Sequence, residues 1–70
     1  MKLVTMIDRN GIRIDSKYIQ IQEHSTTRSM IRSIKQSFEI EKKHKRLKKK
    51  EDFMKLDFYG LNISLLIPYE

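Results

Sequence analysis

Cysteine is missing from the chain, which excludes disulfides, thiolate nucleophiles and thiolate-held metals, the staples on which small secreted domains rely. Alanine and tryptophan are missing too, proline occurs once and glycine twice. Two isolated glycines cannot form a phosphate-cradling loop, and no G-x-S-x-G elbow or H-E-x-x-H pair is present. Long apolar runs are equally scarce. Asp8 and Arg9 interrupt the opening KLVTMI before it reaches the length of a signal-peptide core. Leu65-Leu66-Ile67 falls far short of the roughly 20 residues that cross a bilayer. These absences lead to the expectation of a cytoplasmic protein with no transmembrane segment.

The chain has 70 residues. At that size only about 60% of the unfolded surface is buried on folding, so residues 1–70 are expected to form a single small domain with one core. A homodimer or a bound partner would add buried area. Isoleucine and lysine number ten each, a bias that matches coding in an AT-rich genome, as in many phages and other mobile elements.

Charge is concentrated. Net charge is +6, and seven of the 15 cationic side chains stand within residues 42–50, KKHKRLKKK. The eight elsewhere are matched by nine acids. Basic character confined to one segment reads as a patch or an arm.

KLVTMID at 2–8 is rich in β-branched and apolar residues, and Asn10-Gly11 supplies the positive φ that a two-residue type I′ turn requires. The expected hairpin sets Arg9 opposite Ile12, Asp8 opposite Arg13 and Ile7 opposite Ile14. YIQIQ at 18–22 alternates and reads as a third strand or a bent continuation of the second, completing a sheet over 2–23. Ser25 is the expected helix N-cap and Thr26 the second candidate. Met30, Ile31, Ile34 and Phe38 then share about one third of a helix circumference. Helix-forming residues continue to Lys50, so a helix is predicted over 26–50, roughly 37 Å long, with its basic distal part at 42–50. Beyond it, Met54, Leu56 and Phe58 alternate, as do Leu61, Ile63, Leu65 and Ile67, with Gly60 between. Residues 53–68 read as a C-terminal hairpin, or as a short helix plus a strand, and Pro68 restricts the last strand to an edge or a terminus. The expected fold class is α+β: a small antiparallel sheet in ββ(β)αββ order with one long helix packed on one face.

An enzyme is not expected. His24 and His44 lie twenty residues apart, without the i, i+4 spacing of a shared metal site. The acidic residues have lysine neighbours, Glu39 with Lys43 and Glu41 with Lys45, in the favourable helical order. No cofactor, metal or small-molecule substrate is implied. Phe58-Tyr59-Gly60 lacks the full pattern of an aromatic RNA-binding strand, and its aromatics are assigned to the core.

The candidate site is the basic segment. On a continuous helix Arg28, Arg32, Lys35, Lys42, Arg46 and Lys50 project along one side, and Lys43, Lys45, Lys48 and Lys49 complete the cluster. Ser29, Ser33 and Ser37 recur every four residues as a hydroxyl ridge beside it, and Gln36 could add a contact. Such side chains contact phosphate oxygens, and a helix fits a major groove. A solvated helix end is the plainer reading, but like charges at 42/46, 45/49 and 46/50 each cost a helix about 0.2–0.5 kcal/mol. The expected function is a small, non-catalytic, basic binding protein, with regulator as its candidate role, that contacts nucleic acid phosphates, DNA or RNA. The alternative is an inhibitor or adaptor of the kind mobile elements carry, docking on an acidic surface of a host protein. Peripheral attachment to an anionic membrane would be weak, since Leu47 is the one apolar residue of the run.

Overall fold

The structure is a computed structural model and describes residues 1–22 and 26–69. Its elements are β1 (Lys2–Asp8), β2 (Arg13–Ile19), α1 (Thr27–Ser37), β3 (His44–Lys49), β4 (Phe53–Phe58) and β5 (Ile63–Pro68). The strands form one antiparallel sheet in the order β2-β1-β5-β4-β3. The class is α+β with a single helix among the described residues, and the element order is ββαβββ, not the expected ββ(β)αββ, because residues 44–49 form a strand after the helix.

The first hairpin forms with a different turn. The Asp8 carboxylate accepts the N–H groups of Asn10 (2.8 Å) and Ile12 (2.9 Å), and the Asp8 N–H donates to the Ile12 carbonyl at 2.9 Å. This encloses three residues, with Gly11 at φ 81°, instead of two. Asp8 is a strong turn residue because its short side chain bonds backbone two residues on. The register shifts between Met6 and Ile7, so Ile7 faces Arg13 and the three predicted pairs near the turn do not form. Of the 18–22 stretch only Tyr18 and Ile19 belong to a strand, as the end of β2.

Thr26 caps α1, its hydroxyl accepting the Ser29 N–H at 3.1 Å; Ser25 and His24 lie outside the described residues. The apolar stripe is as predicted. Ile31 and Ile34 are buried, and Met30 and Phe38 pack against the core.

The helix ends thirteen residues before the predicted Lys50, and this corrects the central structural expectation. Glu39 turns left-handed at φ 57°, its N–H donating to the Gln36 carbonyl at 3.1 Å and that of Ile40 to the Lys35 carbonyl at 2.9 Å. This is a Schellman stop, and Ile40 packs against the core as such a motif favours. Periodicity explains the place. After Phe38 the next positions on the buried face are Glu41 and Lys45, so continuing the helix would bury nothing. Topology agrees: α1 must carry the chain from β2 at one sheet edge to β3 at the other, a span of about 19 Å over four strand spacings. A helix of roughly 37 Å would exceed the longest dimension of the fold, 31 Å.

Residues 44–49 are instead an edge strand. In a strand alternate side chains go to opposite faces, which relieves the i, i+4 crowding of cations that a helix imposes. The Glu39–Lys43 and Glu41–Lys45 helical pairs accordingly have no helix to sit on. Because a left-handed glutamate is strained, Glu39→Gly is expected to raise stability by about 0.5–1 kcal/mol. Urea denaturation measures this; a destabilised variant would mean that residue 39 is not left-handed in solution.

The C-terminal hairpin forms as strands, not as a short helix, and Met54, Leu56, Phe58, Leu65 and Ile67 are all buried. Pro68 ends β5, yet β5 is an inner strand, held between β1 and β4. With Val4 and Ile19 these residues meet Ile31 and Ile34 in one core. The other sheet face has no helix over it among the described residues. Among the described residues no helix is long and apolar enough to cross a membrane.

Candidate nucleic-acid interface

Directly opposed residues of antiparallel strands share a face, so the register sorts the paired side chains of β3. Leu47 opposes Leu56 and Lys49 opposes Met54, on the helix side. Arg46 opposes Asp57 and Lys48 opposes Lys55, on the open side. Lys45 is the extra residue where the register shifts between His44 and Arg46. Lys42 and Lys50 lie beyond the ends of β3. The seven cations therefore do not form one ridge; within β3, at a free sheet edge, Arg46 and Lys48 take the open side and Lys49 the helix side.

On the helix side, α1 and the start of β3 enclose an open cleft of about 360 Å³. Arg28, Arg32, Lys35 and Gln36 line it from α1 and Lys43 from the segment entering β3, with Ile31, Ile40 and His44 between them. Four cations face one concavity, and no carboxylate lines it among the described residues. Arg28, Arg32 and Lys35 line the cleft together from α1, and a tertiary turn rather than a longer helix brings Lys43 to them.

The hydroxyl ridge is elsewhere. Ser29 and Ser33 line a depression with Gln20, Ile21, Gln22 and Met30, away from the cleft residues. The Ser37 hydroxyl donates to the Ser33 carbonyl at 3.1 Å, and its own carbonyl accepts from Lys17 Nζ at 2.6 Å. Lys17 also stands 5.3 Å from the Phe38 ring centroid. A cation at a helix C-terminus is favourable, so Lys17, unremarked in the sequence, supports the end of α1.

On the open side, two rows cross the whole sheet. One reads Arg13, Ile7, Ser64, Asp57, Arg46, and the next Ser16, Thr5, Leu66, Lys55, Lys48. At the end of the first row Arg9, Lys45, Arg46 and Lys55 line a second concavity of about 340 Å³ beside Tyr59. Asp57, the one carboxylate of this lining among the described residues, accepts a hydrogen bond from the Ser64 hydroxyl. Arg9 and Lys55 were not singled out in the sequence. The alternation of Met54, Leu56 and Phe58 did place Lys55 on the opposite face, but strand order alone brings it beside Arg46 and Lys48.

Among the described residues no three His, Asp or Glu side chains gather as a metal site. The arrangement therefore offers charge, hydrogen-bond donors and exposed aromatic surface. In class it is an antiparallel α+β domain of ββαβββ order with cations on both sides of one edge strand. Comparison with protein-family models, with curated proteins and with solved structures gives no match.

Proposed function

We propose that the protein is a small, non-catalytic nucleic-acid-binding protein that holds phosphates along the β3 edge. The observation that carries this reading is the convergence of Arg28, Arg32, Lys35 and Lys43 on one cleft with no acidic residue among the described residues of its lining. Mutual repulsion makes such a cluster unfavourable in the free protein, and a polyanion relieves it. The guanidinium groups of Arg28 and Arg32 suit bidentate contact to phosphate.

Salt dependence tests it. Replacing the four cleft cations by Gln should make the log–log slope of affinity against salt shallower by about 3.6 on duplex DNA, or about 2.8 on a single strand, if each neutralises one phosphate. All four side chains sit outside the set of fully buried core residues, so the fold should survive, which circular dichroism checks. A slope that does not move would remove the cleft from the interface.

The free edge of β3 favours a second reading, in which an acidic segment of a host protein adds as a further strand beside its lysines. Affinity purification after nuclease treatment separates the two. Stoichiometric capture of one acidic protein supports the second; signal lost with the nucleic acid supports the first.

A further inference from the structure

We infer that the open face of the sheet is a platform for single-stranded nucleic acid, DNA or RNA, whose bases lie on exposed tyrosines while its phosphates meet the cations of β3 and β4. This rests on the reading above and specifies the form of nucleic acid.

The tyrosines are the exposed aromatic residues, and Phe53, half-buried, opposes Pro68 on the open face. All three tyrosines are exposed, Tyr18 at 70%, Tyr59 at 56% and Tyr69 at 40%, whereas Phe58 is buried and Phe38 packs against the core. Tyr18 opposes Leu3 on the open face at one end of the sheet. Tyr59 stands at the other end, beside Arg46 and Lys55. Between them Leu66 and Lys55 share a row with Lys48. Aromatic faces interleaved with cations are what single strands require, since every base has a π face and stacking tolerates any sequence.

Width decides against a duplex on this face. Five strands span about 19 Å between the outer two, whereas the major groove, about 12 Å wide, admits a helix or a two-stranded ribbon. The cationic flank of α1, the single helix among the described residues, lines the cleft on the opposite side of the sheet, so it is not part of this face. A second copy of the chain is also disfavoured as the occupant: the two sheet-crossing rows carry Arg13, Arg46, Lys48 and Lys55 against Asp57 alone, and two such faces would repel.

The probes are labelled oligothymidylate and oligouridylate of about 12 nucleotides, and a duplex of the same length. The single strands are expected to bind more tightly than the duplex. Tyr18→Ala and Tyr59→Ala should each weaken single-strand binding about tenfold, and Tyr18→Phe should restore it, with unchanged circular dichroism. Equal affinity for the two oligomers would assign recognition to base faces and phosphates, and a preference for the uridylate would add the 2′-hydroxyl; both support the platform. A duplex bound as tightly as the strands, or alanine variants that bind like the parent, would overturn it. The phosphate-binding reading would still stand if the cleft variant lowers the salt slope, and both would fall if no nucleic acid binds.

Discussion

Leu56→Ala is expected to remove most of the folding stability of this protein, about 3 kcal/mol. Leu56 is fully buried at the centre of β4, opposed by Leu47 on one side and Leu65 on the other. Truncation there costs the transfer energy of the lost carbons plus a cavity that the two flanking strands cannot close without giving up their ladders. A single core in a chain of this length rarely supplies more than about 3–5 kcal/mol, so little would remain. In urea, where a small domain has a slope near 1 kcal/mol per molar, the midpoint should fall by about 3 M. Ile12→Ala is the control: Ile12 is 63% exposed and should change stability by no more than about 0.5 kcal/mol. A Leu56 variant as stable as the Ile12 variant would show that the sheet's helix-side core is not what holds the fold. The effect should reach the candidate interface, because Leu47 is the one apolar side chain of β3 and opposes Leu56.

Proline at position 48 is expected to be far more damaging than proline at 49, and the contrast tests whether the basic segment is a strand. Lys50 donates its N–H to the Phe53 carbonyl at 2.8 Å, so 50 and 53 are a hydrogen-bonded pair closing the β3–β4 hairpin. Such pairs alternate along an antiparallel ladder, which makes Lys48 and Lys55 the next one and points the Lys48 N–H at β4. The Lys49 N–H then points outward from the free edge, where proline is tolerated. Lys48→Pro removes a ladder donor and leaves the Lys55 carbonyl unpaired, costing about 2 kcal/mol. Lys49→Pro should cost about 0.5 kcal/mol or less. Were 42–50 helical, both prolines would lie inside a helix and both would break it, by about 3 kcal/mol each. Equal losses in urea denaturation would therefore overturn the strand.

That strand is the point at which the sequence misleads, and the reason is local. Between Gly11 and Gly60 there is neither glycine nor proline, so nothing ordinarily marks a helix stop near residue 38; the stop is made by Glu39 in a conformation glutamate adopts reluctantly. Lysine, arginine and leucine are also good helix formers, and Leu47 alone is too little alternation to announce a strand. Where alternation is full, at 54–58 and 63–67, the strands are legible, and the Met30–Phe38 stripe identifies the helix face for the same reason. The candidate site is legible by composition but not by shape. Arg28, Arg32 and Lys35 share a helix flank and can be grouped from their spacing. Lys43 joins them, and Arg9 and Lys55 join Lys45 and Arg46, through contacts between segments remote in the chain.

By itself, then, the sequence determined the class of fold, one helix on one antiparallel sheet, its apolar faces, and the gathering of positive charge in one segment, because periodicity and composition are properties of neighbours along the chain. Tertiary structure alone decided that this segment is an edge strand, that its cations divide between two sides of the sheet, and that a tyrosine-bearing face is left open. Those outcomes depend on Leu56 and its neighbours needing cover and on a short helix having to cross a sheet about 19 Å wide, conditions that no window of local sequence contains.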